Sequence, residues 1–231
     1  MEKKTIYIIG GIILFLYSQL AWTGTVDREV CHTSVIIRGT LFEKGPVSAK
    51  ELTPLRCKTR KACITDKLIG KGDCPDLGEK YDTVRVSKDL GKQENEIKMF
   101  LAREMADCWN MMGEGKIQIF TREVLETENQ CVICSRIEVD NSIKNKLNSI
   151  DDFVKYLATH KVPEKEISYW EFLTGKTSAE EGSVPLNEEL SIIFLEGGKG
   201  KISDLFTNIK DAIGFAQQYG ENYDRGIYIR G

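Results

Sequence analysis

Cys131-Val-Ile-Cys134 has the spacing used for thiol–disulfide exchange. A dithiol of that kind works when its first sulfur is acidified at a helix amino terminus and its partner closes the bridge. Here the pair lies inside a β-branched run that reads as strand, which puts the two sulfurs on opposite faces, so a structural use of both is expected. Zinc would need Cys57, Cys63 and Cys74 completed by Cys31 or His32. Their spacing matches no zinc knuckle, and no metal site is expected. The segment Leu195-Glu-Gly-Gly-Lys-Gly-Lys201 has the outline of an anion cradle, with Gly197, Gly198 and Gly200 supplying amides and Lys199 and Lys201 supplying charge. It lacks the glycine spacing of a nucleotide-binding loop and the hydroxyl residue after the lysine, so a plain strand-to-helix turn is the leading reading.

Bases and acids are harder to single out. Histidine occurs only at His32, beside Cys31, and at His160, after a helix carboxyl end where a cation compensates the dipole. Glu104, Asp107 and Glu114 gather near a helix stop, and Asp151-Asp152 has the ordinary preference of negative charge for a first helical turn. Nothing selects one carboxylate pair as acid and base. Catalytic residues stay unassigned and no cofactor is expected.

The compartment is easier to read. Residues 5–22 carry no charge, follow Lys3 and Lys4, and would span about 27 Å as a helix, close to the apolar thickness of a bilayer. The positive flank places residues 1–4 in the cytoplasm and everything from Thr23 outside it, with Tyr7, Tyr17 and Trp22 suited to the two interfaces. The rival is a cleaved secretory signal with its core at Ile6–Leu16, for which small residues such as Ala21 and Thr23 make a poor cleavage site. Both readings export the remainder. In an oxidising exterior the seven cysteines Cys31, Cys57, Cys63, Cys74, Cys108, Cys131 and Cys134 are disulfide candidates. Seven is odd, so at most three bridges form within the chain and one sulfur is left over. The sulfurs fall into an N-terminal group of four and a middle group of three.

The elements that hold these residues point to an α+β domain. Residues 23–90 read as a cysteine-rich β segment, with a strand at Thr33–Thr40, a break at Gly45-Pro46 and another strand at Tyr81–Val86. Residues 91–231 read as an α+β region that can merge with it. An amphipathic helix at Glu94–Met112 stops at Gly113 and Gly115. Strands at Gly115–Val124 and Cys131–Val139 follow. On the second, Cys131, Ile133, Ser135, Ile137 and Val139 share one face; the helix should pack there and bring Cys108 into bridging range of Cys131 or Cys134. Ser149 caps a helix at Ile150–Ala158, and a short aromatic helix at Ser168–Thr174 closes at Gly175. A polar loop at Lys176–Glu189, a buried strand at Ile192–Leu195, a helix at Ser203–Tyr219 and a strand at Ile227–Ile229 complete the chain.

At Asp107-Cys108-Trp109 with Gly113-Glu-Gly-Lys116, and at Cys131-Val-Ile-Cys-Ser-Arg-Ile137, the sequence resembles a group of uncharacterised membrane-anchored archaeal proteins that carry such blocks after an N-terminal anchor. The resemblance implies no activity. The absence of any Asn-x-Ser/Thr acceptor agrees with a prokaryotic source. A net charge of −3, and a basic cluster (Arg56, Lys58, Arg60, Lys61) without interleaved aromatics, argue against nucleic acid as a partner. The expected function is a single-pass extracytoplasmic protein, anchored through residues 5–22, with a structural or protein-binding role among other envelope proteins. The alternatives are an exported enzyme, either a thiol oxidoreductase or a carboxylate hydrolase, and a ligand-binding domain using the glycine-rich segment.

Overall fold

The computed structural model describes residues 23–44, 54–120, 125, 128–179, 182–198, 212–219 and 223–230. No helix among these is long and apolar enough to cross a membrane, and residues 5–22 lie outside them. The fold is α+β. Strands β1 (Arg60–Thr65), β2 (Asp82–Arg85), β3 (Gln130–Val139), β6 (Leu190–Gly198), β7 (Ala212–Tyr219) and β8 (Tyr223–Arg230) form one sheet in the order β2-β1-β3-β6-β8-β7, while the short β4 (Ser149–Ile150) and β5 (Val184–Pro185) pair separately. Neighbours β2, β1 and β3 run parallel, and β3, β6, β8 and β7 alternate antiparallel. Since strands from both sides of residue 90 share this sheet, the cysteine-rich segment and the α+β region fold together.

The helices are α1 (Thr23–Lys44), α2 (Leu90–Met111), α3 (Asn141–Lys144), α4 (Phe153–Thr159) and α5 (Tyr169–Thr174). Helix α2 carries the expected apolar stripe. Asp89 caps its start by accepting from the Lys92 amide at 3.1 Å, and Ile97, Leu101, Met105, Cys108 and Trp109 are buried. Trp109 lies 6.0 Å from the ring of Phe194 on β6, so the helix seats on the antiparallel half of the sheet. Burial of such side chains stabilises by roughly 1.5–3 kcal/mol apiece. Helix α5 begins at Ser168, which accepts from the Glu171 amide at 3.1 Å, and ends at Gly175 with a φ of 67°. That left-handed terminus is where glycine is needed.

Four expectations are corrected. The β-branched run Thr33–Thr40 lies in α1, not in a strand. Helix formation costs such residues less than about 0.7 kcal/mol each, and Cys31, Ser34, Val35 and Gly39, spaced along one helical face, are buried against the domain. Gly39 is required there because a β-carbon would collide with Ile117. Residues 116–120 are not strand; they are held as a loop by Glu196, described below. The α4 helix starts at Phe153, because Ser149 and Ile150 are committed to pairing with β5. Finally, Ala212–Tyr219 is strand β7, paired with β8 from Ala212 opposite Arg230 to Tyr219 opposite Tyr223. The helical spacing in that stretch is outweighed by a full antiparallel ladder.

Candidate functional site

Three bridges staple the domain: Cys31–Cys57, Cys63–Cys74 and Cys108–Cys134. Each stays within the group of cysteines to which its sequence position assigned it. The remaining thiol, Cys131, is free and exposed. The choice of Cys134 over Cys131 has a local cause. In the β3–β6 ladder Ile133 faces Ile193 and Ser135 faces Ile192, which leaves Cys134 as an extra residue in a bulge. Beyond the bulge Ser135, Ile137 and Val139 point to the core as expected. Before it the alternation is inverted, so Cys131 and Ile133 face outward, and Cys134 reaches α2. Cys131 and Cys134 are therefore not a dithiol pair.

Cys31–Cys57 joins α1 to the segment that enters β1, and so sets the groove described next. The side chain of Glu104 on α2, only 4 % exposed, accepts from Arg28 of α1 at 2.7 Å, from Ser135 of β3 at 2.6 Å and from Arg60 of β1. Arg28 reaches on to Asp107, and Arg60 donates to Asp82 at 2.9 Å. Burial disfavours the charge on Arg60, but Glu104 and Asp82 outweigh it and hold the guanidinium above its ordinary pKa. Both arginines then emerge on an open groove of about 700 Å³ at the amino ends of β1 and β2.

That groove carries more positive than negative charge. Arg28, Lys58, Arg60, Lys61, Lys71 and Lys80 line it against the acids Asp27, Glu79 and Asp82. Lys58 is paired with Asp27 at 2.8 Å, on the surface where such pairs contribute little. Among the described residues Lys61 donates only to the Leu77 carbonyl, at 2.8 Å. Lys71 donates to the Glu79 carbonyl at 3.4 Å and lies 5.6 Å over the Tyr81 ring. Lys80 has no hydrogen bond or ion pair among the described residues. Three lysines thus face the groove without a carboxylate partner among the described residues. Lys71 is delivered by the Cys63–Cys74 loop, which Gly72 lets lie close over β1: a β-carbon on Gly72 would meet the Cys63 sulfur.

A second concavity of about 350 Å³ separates α2 from residues 162–172, with Arg103, Asp107, Asn110, Lys165, Tyr169 and Phe172 around it. Burial raises the Asp107 carboxyl above its ordinary pKa despite the pull of Arg28. Burial likewise raises Tyr169. Lys165 bridges to Glu114 at 2.7 Å and lies 4.3 Å over the Phe172 ring.

Other candidates from the sequence are spread out. His32 Nδ1 meets the Met111 carbonyl at 3.1 Å, and His160 stacks on Tyr156 at 3.8 Å after the end of α4, as a helix-end residue would. Asp152 is the residue before α4, without a side-chain cap bond. Gly197 and Gly198 continue β6 opposite Asp224 and Tyr223 instead of turning, and Lys199, Gly200 and Lys201 lie outside the described residues. Among the described residues no group of metal-ligating side chains gathers. The basic cluster at Arg56–Lys61 was visible in the sequence, but its union with Arg28, Lys71 and Lys80 was not. The one available clue was the pair of cysteines flanking Lys71. No protein-family model, no curated protein and no solved structure matches the chain.

Proposed function

We propose that this chain is a membrane-anchored extracytoplasmic binding protein of the cell envelope, which holds an acidic segment of a partner protein in the groove at the amino ends of β1 and β2. Residues 5–22 supply the anchor in this reading. The observation that carries it is the surplus of groove cations, above all Lys61, Lys71 and Lys80, which have no carboxylate partner among the described residues. Unpaired lysines around an open groove attract a negatively charged chain and speed its encounter, at modest energetic cost to the free protein. The three bridges fit an exported location and keep the groove walls in register.

The test is titration of the detergent-solubilised full chain with fluorescent poly-glutamate at low and at physiological salt. Binding that weakens with salt, and by about tenfold or more in the K61E/K71E/K80E variant, is the expected result. Binding indifferent to those three charges would remove the groove from the account. A second reading, an exported hydrolase, is favoured by the 350 Å³ cleft beside Asp107, a partly exposed carboxyl that partial burial shifts upward, toward the protonated form that a general acid needs, against the pull of Arg28.

A further inference from the structure

The three most exposed large apolar side chains among the described residues are Leu68, Ile69 and Leu90, at 78 %, 90 % and 52 % exposure. They share one end of the molecule. Leu68 and Ile69 follow the carboxyl end of β1, Leu90 begins α2 just past the carboxyl end of β2, and β1 and β2 are parallel neighbours. Arg85 donates to the Gly70 carbonyl at 3.2 Å and the Val86 amide to the Thr65 carbonyl at 3.0 Å, which ties the two loops into one edge.

The same edge is flanked by Lys67, Arg85 and Lys88. Of the acids nearby, Asp66 and Asp140 are buried and engaged, holding Lys146 at 3.0 Å and Lys67 at 3.1 Å, while the exposed Asp89 is occupied in capping α2. Arg85 and Lys88 form no ion pair among the described residues. Apolar side chains pushed into water beside cations fit a surface that is oily inside and anionic outside.

The direction of α1 agrees. Arg28 meets Glu104 at the level of Arg60 and Ser135, whereas ten residues on Arg38 donates to the Ile119 carbonyl, beside Glu196, which is opposite Gln130 at the amino end of β3. Helix α1 therefore descends toward the amino end of β3, and its own start points toward the end that carries Leu68, Ile69 and Leu90.

We propose that this edge rests on an anionic lipid surface, with Leu68, Ile69 and Leu90 entering the headgroup layer and Lys67, Arg85 and Lys88 meeting lipid phosphates. The proposal rests on residues 5–22 as the anchor, and it turns the groove of the preceding section away from the bilayer. The β1–β2 edge then acts as a second foot that fixes the domain's tilt.

Full-length chain is placed in nanodiscs of phosphatidylcholine with phosphatidylglycerol, in nanodiscs of phosphatidylcholine alone, and in detergent, and amide exchange is followed at residues 66–71 and 88–92. Exchange roughly tenfold slower in the anionic discs, and returned to the detergent rate in the L68D/I69D variant, is the expected result. Because both positions are exposed, that variant should melt as the parent does, and its melting curve is recorded alongside. Equal exchange in anionic discs and in detergent, for chain that resists carbonate extraction, overturns the proposal and leaves the anchor standing. Chain extracted by carbonate that still protects 66–71 on anionic discs overturns the anchor and keeps the lipid contact. Protection that appears in detergent as protein concentration rises assigns the edge to a second copy of the chain and overturns the proposal.

Discussion

Glu196 and Glu104 are both carboxylates buried against the helix-covered face of one sheet, yet their surroundings end differently. Glu196, fully buried on β6, accepts from Arg225 of β8 at 2.9 Å and from the amides of Ile119 and Phe120 at 3.0 and 3.2 Å. Arg225 is itself buried and also donates to the Gly115 carbonyl. Arg225, Ile119 and Gly115 are all buried, so this centre braces the loop after α2 against the sheet. Glu104 is almost as buried, but its arginine partners are about a third exposed, at 31 % and 33 %, and form part of the groove wall. Buried charge of the first kind holds the fold together; of the second kind, it sets how much positive charge reaches the surface.

Breaking the closed centre should cost most. Arg225→Met strands the Glu196 carboxylate and is expected to lower stability by about 3–5 kcal/mol in denaturant titration, with poly-glutamate affinity of the surviving folded fraction unchanged. Next comes the staple beneath both centres. The C108A/C134A variant is expected to lose about 3 kcal/mol by the loop-closure relation, read as a lower thermal midpoint that matches the parent's after reduction at that bridge. A midpoint unaffected by the substitutions would mean that α2 is held to β3 by packing alone.

Asp140 supplies the pH arm. Burial acts to raise its pKa, but the amides of Ser142 and Asp73, the Thr65 hydroxyl and Lys67 prevail and hold it well below the usual carboxylate range. A carboxyl depressed in the folded state contributes stability above its unfolded pKa, near 3.9, and loses that contribution as pH falls below it. Asp140→Asn should therefore be about 2 kcal/mol less stable at neutral pH, with the gap to the parent closing below about pH 4. A gap constant with pH would remove the charge from the explanation.

The smallest and most discriminating change is Glu104→Gln. It is expected to cost about 1–2 kcal/mol through weakened bonds to Arg28 and Arg60, and to tighten poly-glutamate binding because the groove gains a charge. Glu196→Gln should cost stability with no gain in binding. If both glutamates behave alike, the distinction between a brace and a groove wall fails.

Much of this was legible in the residues, though unevenly. The apolar spacing from Ile97 to Trp109 declared α2, and the alternation in Cys131–Val139 declared β3, because periodicity of three to four or of two is a local property. The threonines, valine and isoleucines of α1 read locally as strand, although Cys31, Ser34, Val35 and Gly39 lie on one helical face. Local preference there is worth less than the contacts made across the fold. The groove was half legible: Lys58, Arg60 and Lys61 are adjacent in sequence, but Lys71 and Lys80 join them only because a disulfide and a parallel strand pair fold that loop back.

By itself the sequence determined that the chain holds an odd number of cysteines in two groups, a strongly apolar stretch before Thr23 and one long amphipathic helix. Those are facts of count, run length and period, and each can be read within a short window. Only the tertiary structure decided that Cys134, not Cys131, meets Cys108, and that Glu104 carries two arginines to an open surface while Glu196 hides its own. The reason is physical. A bulge, a strand register and the exposure of an ion pair depend on what lies opposite, and what lies opposite is here 26 to 110 residues away along the chain.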